Sequence, residues 1–174
     1  MTLTDPTGLC PPVSASSPTA VVDSQGNPIL GVNPDGSMTP MSAPAGLPLS
    51  YYTSLGETAA LMDSSSVGAG EAPVAVLGTL LEFAPGLPLD AQRFDGTFYP
   101  SYTAYSNFAF GVYAAAAGVP LPTALWGANL VAGGAAFSPA FPRGGNASYP
   151  NLLNSNYANI VAGYTAYASG QIPH

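Results

Sequence analysis

Asp90, Arg93 and Asp95 fall within six residues, in the segment Leu89-Asp90-Ala91-Gln92-Arg93-Phe94-Asp95-Gly96. An arginine between two carboxylates can orient them for acid–base work, or it can seat a substrate carboxylate on its two-pronged donor edge. The same residues also make an ordinary surface ion pair worth under about 1 kcal/mol. Both readings stand at the level of sequence. Glu82 is the next candidate. Within Leu80-Leu81-Glu82-Phe83 it either faces solvent or is partly desolvated, with the raised pKa that a general acid requires. Asp90, Asp95 and Glu82 are thus the candidate catalytic carboxylates, and Arg93 is the candidate substrate anchor. Glu71 reads as a helix-start charge, Asp63 abuts a serine loop, and no carboxylate follows Asp95.

Other chemistries lack their residues. The single histidine, His174, ends the chain, so a serine triad has no base. No His-Glu-x-x-His, Cys-x-x-Cys or paired-histidine pattern occurs, and neither a metal nor a cofactor is expected. Gly144-Gly145 follows a proline and leads into a loop, which is not the context of a phosphate loop. Cys10 stands alone and reads as an exposed thiol without a basic neighbour to activate it.

Charge excludes more. Only 6% of residues are charged, against about 25% in ordinary soluble domains. There is no lysine, Arg93 and Arg143 are the only fixed cations, and the net charge is −7. Nucleic-acid binders draw most of their affinity from Lys and Arg neutralising phosphates. Stable nucleic-acid binding is therefore not expected. With 47% hydrophobic residues, the chain can still build a packed core.

The elements that must position these groups read as helices. Residues 1–48 hold nine prolines and the turn-forming runs Gln25-Gly26-Asn27-Pro28 and Asn33-Pro34-Asp35-Gly36, and they read as an extended linker. Residues 49–174 read as one helical domain. A first helix starts near Ser50 and carries Tyr51, Leu55, Ala59 and Met62. A second opens at Glu71-Ala72-Pro73 and runs to Phe83. A third spans Tyr102–Ala117 and is apolar nearly all round, as a buried helix is. A fourth has Thr123 as its N-cap, and a fifth runs along Leu153, Tyr157, Ile160, Val161, Tyr164 and Tyr167 to Gly170. No alternating strand longer than four residues stands out. The expected fold is all-α, a small bundle of about five helices preceded by a Pro-rich extended arm. Pro120 and Pro122 split the uncharged stretch between Asp95 and Arg143, so each half is shorter than the about 20 residues a membrane span needs. A membrane-active hairpin of the third and fourth helices stays open as a reading.

Two short segments resemble known families. Asp5-Pro6-Thr7-Gly8-Leu9, followed by a low-complexity segment, resembles the Asp-Pro-x-Gly-Leu boundary that ends an Rhs (YD-repeat) shell protein. The resemblance implies cleavage between Leu9 and Cys10 and a C-terminal toxin domain. It also implies delivery into a target cell by a shell or secretion-system carrier, and a cognate immunity protein. The chain's start lacks the basic and apolar regions of a signal peptide, so export is expected to depend on that carrier. Ala104-Tyr105-Ser106-Asn107-Phe108-Ala109-Phe110-Gly111 resembles the core motif Asp-Phe-Gly-Asn-Phe-x-Tyr-Gly of polymorphic toxin type 44 domains. The resemblance extends to Tyr149-Pro150-Asn151 and to Ile160-Val161-Ala162-Gly163-Tyr164, and covers roughly residues 88–170. It implies a helical toxin domain, and Asn107 and Tyr105 join Arg93 as candidate substrate contacts. Ala104 replaces the aspartate of the core, and Tyr149 and Asn151 stand where acidic residues are expected. The resulting expectation is an interbacterial effector, a hydrolase of a cell-envelope substrate. A membrane-active toxin, a nuclease, or a binding module whose arm wraps a partner are the alternatives.

Overall fold

The arm folds. The computed structural model describes residues 14–66, 82–135 and 148–172. In it, strand β1 (Ser14–Ala20) pairs antiparallel with β4 (Ser42–Ala45), and β2 (Leu30–Val32) pairs antiparallel with β3 (Met38–Pro40). Val21, Met41, Ala43 and Leu47 enter the same core as the helices. The turns between these strands are built by side-chain oxygens. Asp23 accepts the N–H groups of Gln25 and Asn27, both at 2.8 Å, and Asp35 accepts the Ser37 N–H at 2.9 Å. Gly36, at φ +83, closes the β2–β3 turn in a conformation that other residues rarely adopt. At the far end of the chain, the Ser24 N–H donates to the Gln171 carbonyl at 2.8 Å.

Four α-helices lie among the described residues: α1 (Leu49–Ser66), α2 (Thr103–Ala116), α3 (Leu121–Ala135) and α4 (Asn154–Ala168). A 3-10 turn at Pro100–Tyr102 leads into α2. A third small sheet, β5 (Arg93–Phe94) with β6 (Thr97–Phe98), precedes it. The chain therefore mixes α and β, and the expected all-α bundle of five helices with an extended arm is corrected. The reason is physical. The strands β2 to β6 have two to four residues each, and the seven-residue β1 is built of Ser, Ala, Pro and Thr, so none shows an alternating apolar pattern, and turn chemistry and a few core residues hold them. Most of the expected second helix lies outside the described residues, and its last positions, Glu82 and Phe83, are in turns. The helix α1 continues through Ser64-Ser65-Ser66, which had read as a loop. The helix α3 begins ahead of its expected cap, Thr123, because Pro122 fits a first turn where its missing N–H loses no bond.

The helix α2 is the centre of the molecule. Tyr105, Phe108, Ala109, Val112 and Tyr113 are all buried, as an all-round apolar helix requires. Glycines set its crossings. A Cβ on Gly111 would strike the Ile160 carbonyl oxygen of α4, and a Cβ on Gly163 of α4 would strike the Phe108 carbonyl oxygen of α2. The two backbones thus touch at reciprocal glycines. On the other side, a Cβ on Gly56 of α1 would lie 2.7 Å from Ala116 Cβ. Phe83 packs into the aromatic cluster, with ring centroids 5.6 Å from Tyr52, 5.1 Å from Phe110 and 5.3 Å from Tyr113. Such pairs add about 0.5–1.5 kcal/mol each beyond simple burial.

Candidate functional site

A cleft of about 720 Å³ opens beside the first turns of α2 and α4. The β2–β3 hairpin and the β5–β6 hairpin form two of its walls, and Ala128, Val131 and Ala132 of α3 form another. Its size falls within the range of small-molecule and cofactor sites.

The cationic wall is built from a turn. Asp90 is buried, with its side chain wholly out of solvent. Its Oδ2 accepts the Gly86 N–H at 2.9 Å and pairs with Arg93 at 3.1 Å, and its Oδ1 accepts the Gln92 N–H at 3.2 Å. Burial pushes its carboxyl above the usual carboxylate range, against the opposing pull of the Gly86 N–H and Arg93. This carboxylate spends its oxygens on holding a loop and a guanidinium. Arg93 then lines the cleft and lies over the Phe98 ring, 4.7 Å from its centroid. Asp95 and Gly96 form the tip of the β5–β6 hairpin. Both have left-handed φ (52° and +71°), the geometry of a type I′ turn.

The structure does not bring the three candidate carboxylates to the cleft. Asp90 stands behind Arg93, Asp95 is exposed at the hairpin tip, and Glu82 is exposed in a turn. No carboxylate is among the lining residues. Arg93 and Asn107, two of the candidate substrate contacts, do line it, and the Asn107 amide donates to the Thr103 carbonyl at 2.8 Å. Tyr105 does not. It is fully buried, and its hydroxyl donates to the Leu47 carbonyl at 2.6 Å, with burial raising its pKa far above the ordinary value. Tyr105 ties α2 to the end of the arm. Leu9, Cys10, Glu71, Arg143 and His174 lie outside the described residues.

Polar groups that sequence reasoning passed over make up the floor. Ser106 and Ser155 are buried residues on the cleft, and their hydroxyls make no hydrogen bond among the described residues. Asn156 also lines it, and its Oδ1 is buried with no hydrogen-bond partner among the described residues. A signal existed. Ser106-Asn107 interrupts an otherwise aromatic helix, and Asn154-Ser155-Asn156 is a polar run at the head of a half-apolar one.

Motif residues meet here as well. Ala104, Asn107, Phe110, Asn151 and Ile160 all border the cleft. Asn151 is anchored by its N–H donating to Asn129 Oδ1 of α3 at 3.0 Å. Ala104, the position of the motif's aspartate, packs under β2: a Cβ on Gly31 would fall 2.7 Å from Ala104 Cβ. The arm's strand occupies the space that a larger side chain would need.

Among the described residues no group of three or more His, Cys, Asp or Glu side chains could hold a metal ion, and no helix is long and apolar enough to cross a membrane. No protein-family model, curated protein or solved structure matches the chain.

Proposed function

We propose that the chain is an effector domain of the polymorphic-toxin kind, brought to its target cell by an Rhs-type shell or secretion-system carrier and neutralised by a cognate immunity protein. It acts through the cleft, on a neutral or sparsely charged polymer of the cell envelope. The observation that carries this reading is the polar floor. A buried amide oxygen without a partner costs about 1–3 kcal/mol, so a cavity with only a structural role would favour an apolar residue at Asn156, beside which the Ser106 and Ser155 hydroxyls stand on the same cleft. Polar side chains at these three places fit groups that find partners on a ligand.

The type 44 resemblance supports the same site, since residues of its motif border it from both α2 and α4. Charge argues for the envelope. A chain of net charge −7 with one arginine at its cleft repels a polyphosphate but accepts a glycan or peptide. Ala104 and Asn151 stand at two positions where the type 44 resemblance expects carboxylates, and no carboxylate among the described residues lines the cleft. Engagement of the polymer, rather than carboxylate-driven cleavage, is the activity proposed.

Expression of the chain in the bacterial cytoplasm, and separately behind an export signal, tests the reading. Growth arrest confined to the exported form is the expected outcome. Arrest only from the cytoplasm, or none from either, overturns it.

A further inference from the structure

The cleft's floor carries the Ser106 and Ser155 hydroxyls and the Asn156 amide, which between them donate and accept. A backbone ligand would instead use a strand edge. The edge that β2 presents at Val32 is closed, because the Asn159 side chain takes both the Val32 N–H and the Val32 carbonyl, at 2.8 and 2.9 Å. Sugar hydroxyls match the floor, since each can donate and accept. The half-exposed Phe98 ring offers an apolar face for the C–H side of a pyranose.

A negative group also fits. Arg93 is the single cationic side chain among the described residues, and it lines the cleft. The first turn of α4 borders the cleft without a side-chain cap, and its positive end favours an anion there. One arginine backed by Asp90 suits an isolated carboxylate and not a run of phosphates.

Building on the proposed role of the cleft as the binding site, we infer that its ligand is an oligosaccharide bearing a carboxylate on one ring. Ring hydroxyls meet Ser106, Ser155 and Asn156, and the carboxylate meets Arg93.

Titration calorimetry on the full chain tests this with three probes. They are a tetrasaccharide of alternating N-acetylglucosamine and N-acetylmuramic acid, neutral tetra-N-acetylchitotetraose, and a Pro/Ala-rich decapeptide. The acidic tetrasaccharide is expected to bind about tenfold more tightly than the neutral one, the difference between charge-assisted and neutral hydrogen bonds. The double variant Asp90→Asn/Arg93→Gln removes both members of the ion pair, so no unpaired charge is left behind. It should lose the preference for the acid while still binding the neutral probe. Asn156→Leu should weaken both saccharides without lowering the melting temperature, since it replaces a buried amide oxygen that has no partner among the described residues. Equal affinity for the two saccharides, binding of the peptide alone, or no saccharide binding by the folded wild-type chain overturns the inference. Growth arrest without saccharide binding sinks this inference alone, whereas saccharide binding without growth arrest sinks the effector reading and leaves this one standing.

Discussion

Asn159 of α4 holds Val32 of β2 as a neighbouring strand would. Its Oδ1 accepts the Val32 N–H at 2.8 Å, and its Nδ2 donates to the Val32 carbonyl at 2.9 Å. One side chain, 1% exposed, satisfies two backbone groups that an isolated strand edge leaves open. It docks the N-terminal β-structure on the helices and, with Gly31 over Ala104, fixes one wall of the cleft. Asn159→Leu keeps the size and removes both bonds. We expect a loss of about 2–4 kcal/mol in urea unfolding followed by far-UV circular dichroism, the cost of two orphaned backbone groups. A loss below about 0.5 kcal/mol would show that the clamp is incidental.

Gly111 and Gly163 make the backbone contact between α2 and α4, and neither can accept a Cβ without moving the partner helix. Gly111→Ala and Gly163→Ala should each cost about 3 kcal/mol or more, at the severe end for single substitutions. A control substitution, Gly127→Ala in α3, meets nothing within 4 Å and should be neutral to stabilising. Equal melting temperatures for all three variants would contradict the crossing described here.

Asp90 gives a signed pH effect. Burial raises its carboxyl pKa above the ordinary 3.8, so the folded chain holds this proton more tightly than the unfolded chain does. Its contribution is full below 3.8 and falls as pH rises through the folded pKa. Asp23 and Asp35 have the opposite sign. Hydrogen bonds from Asn27 and Ser37 lower their pKa values, and their contribution is lost as pH falls below 3.8. In Asp90→Asn, the decline of stability with pH just above 3.8 should flatten, while the acid-side loss persists. An unchanged slope in that window would mean that Asp90 titrates as in the unfolded chain.

Gly96 occupies the second left-handed position of the β5–β6 turn, after Asp95 at φ 52. Gly96→Ala should destabilise by about 1 kcal/mol and loosen Arg93 at the base of the hairpin. Crystallography or NMR of the variant should then find the guanidinium displaced from the Phe98 ring. An undisturbed Arg93 would mean that the Asp90 pair alone holds it.

Sequence periodicity carried most of the helical half. The apolar stripe from Leu153 to Tyr167, the all-round apolar α2, and the glycines that follow α2 and α4 (Gly118 at φ +71, Gly170 at φ +72) are local signals, and the structure uses them as local signals. The strands were missed because their cause is not periodic. Asn33-Pro34-Asp35-Gly36 and Asp95-Gly96 are turn chemistry, and each turn joins strands of two or three residues. A hairpin that short shows no alternation, although Asp-Gly in itself is a hairpin signal. At the site, the clustering of Asp90 and Arg93 was legible, but the division of labour was not. Which of the two meets solvent depends on Gly86 and Gln92 closing around the carboxylate. For Ser155 and Asn156 the polar run was legible but its place was not: only the packing of α4 on α2 brings them to the same cleft as Ser106.

The central claim is that the polar cleft carries the function. The most direct test compares growth of cells exporting the wild-type chain with growth of cells exporting Asn156→Leu, a change that replaces a buried, unpartnered amide oxygen. The variant should be at least as stable as wild type, because burying a polar atom without a partner costs about 1–3 kcal/mol. It should leave growth unharmed where the wild type arrests it. Arrest by a stably folded Asn156→Leu protein, as strong as that by the wild type, would contradict the account.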